Sequence, residues 1–173
     1  MLTKSIAAAA LLIGLGLHTP CFAQSLGSLP RPIAEIQTGW VGFVDDSSID
    51  HTAIGGAARW YLTPRLAVGP EVGYLRGPGD DRDVMVTMNL TFDVLSPRDG
   101  RPRRVTPFIV VGGGFEQHSD RIGPFGFTSY EGAFTMGAGT RVWFNGRVYA
   151  MVETRMGWEP HARFTGGIGI ALR

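Results

Sequence analysis

Between residues 83 and 94 apolar and polar side chains alternate almost without a break. Val84, Val86, Met88, Leu90, Phe92 and Val94 share one parity, while Asp83, Met85, Thr87, Asn89, Thr91 and Asp93 share the other. A strand turns successive side chains to opposite faces, so this segment has one apolar and one polar side. The pattern recurs over 34–44, 51–62, 65–75, 105–116, 129–141, 147–157 and 161–173. Each segment is about the length of a tilted strand crossing a bilayer. No 3.6-residue period competes with it, so the chain reads as all-β.

The connections fall into two sets. Thr63-Pro64 and Asn145-Gly146 are tight turns, the second being the strongest short hairpin signal. The other set, 45–50, 76–82 and 117–128, is longer and polar, with a short connection at 158–160. Short turns at one end and longer loops at the other fit an up-and-down transmembrane β-barrel of eight antiparallel strands. The central connection 96–104 departs from the rule, being long and rich in Arg at the turn end. The run Arg59 to Arg65 matches Arg141 to Arg147 at an offset of 82, and Glu71 and Glu153 continue the match. The repeat spans four strands, so two copies give eight; duplication and convergence on one hairpin pattern explain it equally well.

Residues 1–23 read as a cleaved secretory signal, with Lys4 in the positive region and a short apolar stretch after it. Cleavage is expected after Ala23, leaving 24–33 as a short periplasmic segment before a barrel domain at 34–173. Pro20 before Cys21 argues against lipidation. Cleavage removes the sole Cys and the sole Lys, leaving 15 Arg against 15 acidic residues. A mature chain of zero formal charge and no disulfide gives no bulk attraction to nucleic acid.

The alternation assigns a role to each face. The outward list includes Trp40, Ile54, Leu62, Val68, Val72, Leu90, Phe92, Phe134, Met136, Val152, Phe164 and Ile168, with no charge among them. Trp60, Tyr61, Trp143 and Phe144 at the turn end, with Tyr74 and Trp158 at the loop end, read as two aromatic girdles. The inward list carries Glu35, Arg59, Glu71, Asp93, Glu131, Arg141, Glu153, Arg155 and Arg163, an expected ion-pair network. Eight strands enclose a lumen just wide enough to be filled by its own side chains, so a plugged lumen is expected. Pro70 and Pro107 should mark bulges or strand ends.

These hairpins, the Gly-rich strand 106–115 and the last strand resemble the small eight-stranded outer-membrane barrels: the OmpA membrane domain, OmpX-type proteins and opacity-type adhesins. In that superfamily the last strand carries an assembly signal, and Thr165, Gly167, Ile170 and Leu172 match its spacing. The family usually ends on an aromatic, whereas here Leu172 is followed by Arg173. The resemblance implies the outer membrane of a Gram-negative cell. It implies contact with outer-membrane lipid and lipopolysaccharide, handling by the barrel-assembly machinery, and a surface partner met through the loops. It leaves the oligomeric state open.

No enzyme motif is present, and no catalytic residue or cofactor is expected. Gly112-Gly113-Gly114 is followed by no helix, so it reads as strand glycine rather than a phosphate cradle. His118-Ser119-Asp120 has the residue types of a triad, but adjacency in sequence is no triad geometry. His51, His118 and His161 all fall at the outer rim, where three converging imidazoles would make a metal site; solvated rim residues are the simpler reading. The outer loops are acidic at Asp45, Asp46, Asp50, Asp80, Asp81 and Asp83, which suits cations or plain solvation. Arg98, Arg101, Arg103 and Arg104 make the central turn basic, fit for anionic headgroups or for water. Three functions follow: a structural or surface-interaction barrel, a narrow channel for ions or small apolar molecules, and a soluble lipocalin-like barrel with the faces reversed.

Overall fold

The computed structural model describes residues 29–44, 48–98, 101–122, 125–158 and 161–172. The expected signal, Asp45, Asp46 and Arg173 lie outside them. Eight strands follow in order: β1 (Ile33–Val44), β2 (Ser48–Tyr61), β3 (Leu66–Arg76), β4 (Arg82–Asp93), β5 (Val105–Ile122), β6 (Phe125–Trp143), β7 (Val148–Gly157) and β8 (His161–Ala171). Each pairs antiparallel with the next, and β1 closes on β8 from Ile33↔Ala171 to Phe43↔His161. Closure leaves no sheet edge around the barrel wall, the condition for strands to sit in hydrocarbon.

The repeat survives as pairing register. Ala57↔Glu71, Trp60↔Val68 and Tyr61↔Ala67 in the second hairpin answer Gly139↔Glu153, Val142↔Ala150 and Trp143↔Tyr149 in the sixth. The turns use one device at the same offset. Thr63 Oγ1 accepts from the amides of Arg65 and Leu66, and Asn145 Oδ1 accepts from those of Arg147 and Val148. A side-chain acceptor that satisfies the amides two and three residues on locks a tight turn.

Pro70 produces no bulge. The β2–β3 ladder is interrupted beside it and resumes in the same register, because only the missing N–H is lost. Pro107 lies near the start of β5. The central connection holds itself through mutual backbone bonds between Arg98 and Arg101, each 3.0 Å.

The largest departure from the alternation reading is the β5–β6 hairpin. The alternation stops near 116 and resumes near 129, but pairing runs on to Ile122↔Phe125. Residues 117–121 are polar on both faces, so hydrophobic period carries no strand signal there, and backbone pairing alone extends the ladder. Pairing of β6 with β7 stops at Thr135↔Gly157, so the hairpin stands beyond the barrel wall.

Candidate functional site: lumen and outer rim

Side-chain polarity is inverted relative to a water-soluble domain. Arg59, Arg141, Glu153 and Arg155 are at most 2% exposed, while Ile36, Val152, Phe164 and Ile168 are more than half exposed. The outward surface is an apolar belt around the closed wall. Trp60, Tyr74, Phe144 and Trp158 are exposed on it.

Tyr61 and Trp143 do not belong to the girdle. Both sit on the lumen parity, with Trp143 buried against Tyr149 at 4.5 Å between ring centroids and Tyr61 donating to Asp93 at 2.8 Å. Their place at the turn end suggested the interface, but the parity of Arg59 and Arg141 two residues earlier carries them inward.

Along the lumen, two apolar layers enclose a charged one. The layer nearer the turns packs Ile33, Trp143, Tyr149, Met151 and Ala171. The layer nearer the loops packs Val41, Ala53, Leu75, Met85 and Ala133, with Phe43 against it. Tyr149 lies across Gly169, where a Cβ would meet its ring. Beyond the lower layer a cavity of about 770 Å³ opens at the turn end, with Arg31, Arg101, Arg103 and Arg147 in its wall.

Between the layers four arginines meet four carboxylates. Glu35 accepts from Arg59 at 2.6 Å, from Arg141 at 3.4 Å and from the Tyr149 hydroxyl at 2.6 Å. Arg141 also donates to Asp93 at 2.7 Å and stacks over Phe108 at 4.3 Å. Higher up, Arg155 donates to Glu71 at 2.7 Å and to Glu153 at 2.6 Å. Arg163 donates to the same pair at 2.6 and 3.1 Å. Asn89 donates to Glu71, and Thr91 accepts from Arg59. An unpaired buried charge would cost several kcal/mol, on the order of 3–5, so equal numbers of each sign are what this lumen requires.

Glu131 is not part of this network. It has the inward parity of β6, but it lies opposite Glu116 on the protruding hairpin and is exposed. Pairing with β7 has stopped below that height, so β7 does not cover Glu131. Asn89, Thr91, Thr135 and Tyr149 belong to the network and are legible only from parity, since none is charged. Of the last-strand positions, Thr165 is buried in the lumen, while Ile170 and Leu172 are exposed on the outer face.

The rim rearranges the expected histidine trio. His51 on β2 and His118 on β5 converge with Asp81 and Asp83, whereas His161 packs against Phe43 at 5.4 Å and contacts the Trp158 carbonyl. Phe43 stands between the two groups, its ring edge-on to His51 at 4.9 Å. His118 lies above Gln117, where the apolar belt of β5 ends. Burial works against its charge, but the hydrogen bond to Asp83 and the charges of Asp83, Asp81 and Asp120 outweigh it and raise its pKa.

An apolar wall, a charged interior and closed antiparallel topology define a barrel of the outer-membrane type. No protein-family model and no curated protein matches the chain. Solved structures do. Neisserial surface protein A superposes with a TM-score of 0.71 at 8% identity, covering 82% of this chain and 97% of that one. The N-terminal β-barrel domain of Pseudomonas aeruginosa OprF gives 0.64 at 12% identity, covering 82% and 98%. Ail, the attachment invasion locus protein of Yersinia pestis, gives 0.54 at 10% identity, covering 83% and 99%. The chain has the fold of the small eight-stranded outer-membrane barrels.

Proposed function

We propose that this protein spans the outer membrane of a Gram-negative cell as a closed barrel with a structural or surface-interaction role and no catalysis. The observation that carries the reading is the inversion of polarity: a continuous apolar belt outside and a charge-balanced network within. A soluble lipocalin-like barrel needs the opposite arrangement, an apolar lumen for its ligand. In this reading the belt contacts lipid and lipopolysaccharide, and Ile170 and Leu172 present the last strand to the assembly machinery.

A non-conducting lumen is part of the proposal. Two apolar layers and eight paired charges lie across the path of an ion. The working surface is the β5–β6 hairpin. It exposes Phe125 at 77% and Tyr130 at 70% beyond the wall, with no β7 partner on that side.

The test is expression of the full chain in a Gram-negative host. The outer-membrane fraction is run on a detergent gel cold and heated, and the protein is then reconstituted in a planar bilayer. The expected result is heat-dependent migration and no steady unitary conductance. A soluble periplasmic protein without a migration shift would overturn the membrane reading. Steady conductance would overturn the closed lumen and leave the narrow channel.

A further inference from the structure

We propose that His51, Asp81, Asp83 and His118 form a binding site for a divalent transition-metal ion at the outer mouth of the barrel. The side chains form a ring in which imidazole and carboxylate alternate. His51 Nε2 lies 2.8 Å from Asp81 Oδ2 and 3.3 Å from Asp83 Oδ2. His118 Nδ1 lies 2.5 Å from Asp83 Oδ1 and 3.7 Å from Asp81 Oδ1. A tetrahedral ion with bonds of about 2.0–2.1 Å keeps its ligand atoms roughly 3.3 Å apart. The four contacts use both oxygens of each carboxylate, so they are not edges of one donor tetrahedron; single donor atoms of His51, Asp81 and Asp83 lie within 4.8 Å of one another, and His118 joins them by a side-chain shift.

Two further features point to a ligand. Asp81 is 8% exposed, yet its Oδ1 accepts no hydrogen bond and points into the ring. A buried carboxylate oxygen without a donor is costly unless something positive meets it. Gly77 is the second feature. A Cβ there would run into His51 Nε2 and the Asp81 carboxylate, so a glycine at the end of β3 is what lets β2 reach across to the β3–β4 turn.

The donor set selects the ion. Two imidazoles suit zinc, nickel, copper or iron better than calcium or magnesium, which take oxygen ligands. Two carboxylates against one divalent cation leave the cluster formally neutral. The apolar layer of Val41, Leu75 and Met85 lies beneath it, so the ion enters from outside. Bound there, it ties β2, the β3–β4 turn and β5 together and holds the base of the protruding hairpin.

The experiment uses the full chain folded in detergent, stripped with chelator and equilibrated with zinc. Elemental analysis should find about one zinc per chain. Zinc should also raise the temperature at which the fast-migrating form converts on a gel. His118→Ala and Asp81→Asn should each weaken uptake by tenfold or more, roughly the loss of one ligand or more. His161→Ala should leave it unchanged. Cobalt substituted in the wild-type protein should show the strong visible absorption of a four-coordinate nitrogen and oxygen site, which needs no variant to fold. No zinc uptake, uptake equal in His118→Ala, or a weak six-coordinate cobalt spectrum would each overturn the site. Failure of the membrane reading would appear separately, as a missing gel shift in the stripped protein.

Discussion

Glu71 and Glu153, 82 residues apart, are bridged by the same two guanidinium groups. Arg155 donates to both, and so does Arg163, at distances from 2.6 to 3.1 Å. The two glutamates are repeat equivalents on β3 and β7, and their hairpins share one register. Closing the barrel places the two halves face to face, so the repeat supplies two anions that two arginines can share.

Replacing Glu71 separates charge from shape. Glu71→Leu leaves Arg163 and Arg155 short of a buried counter-charge and should cost about 3–5 kcal/mol. Glu71→Gln keeps an oxygen for Arg163 and should cost less. Urea midpoints of the folded protein in lipid check the order. Leucine tolerated better than glutamine would contradict a charge network. Glu131→Gln, on the exposed hairpin, should stay within about 0.5 kcal/mol.

Tyr149→Phe removes the hydroxyl that donates to Glu35 at 2.6 Å and leaves the ring in place across Gly169. Hydrogen bonds to charged groups contribute about 1.5–3 kcal/mol, so a loss in that range is expected. Arg59 and Arg141 still hold Glu35, so the variant should fold. An unchanged urea midpoint would mean that water replaces the hydroxyl.

Val152→Arg and Leu90→Arg test the outer face. Both residues are exposed on the belt, at 53% and 42%. Arginine facing hydrocarbon near mid-membrane costs about 2–4 kcal/mol. Each variant should therefore accumulate less of the heat-modifiable form than wild type in outer-membrane fractions. Wild-type amounts of both would place the belt somewhere other than in lipid.

Replacing residues 120–127 by Asn-Gly would join Ser119 to Thr128, an existing cross-strand pair, through a two-residue hairpin. β7 does not pair with this part of β6, so the wall is untouched and the heat-dependent shift should persist. Loss of the shift would make the hairpin a folding element. Persistence with loss of surface contacts would make it the working surface.

Period-two alternation by itself determined the strand count, the two faces and most of the lumen. It could do so because side-chain direction in a strand is set residue by residue, with no reference to the rest of the chain. Parity even points Tyr61 and Trp143 inward, against the girdle that their position suggested. Height and partners were another matter. Glu131 has lumen parity but stands where β7 has ended, and only the unequal strand lengths reveal it. The meeting of His51 with Asp81, Asp83 and His118, in place of His161, depends on which strands neighbour one another at the rim. That is decided by closure and stagger, properties of the whole sheet that no local pattern carries.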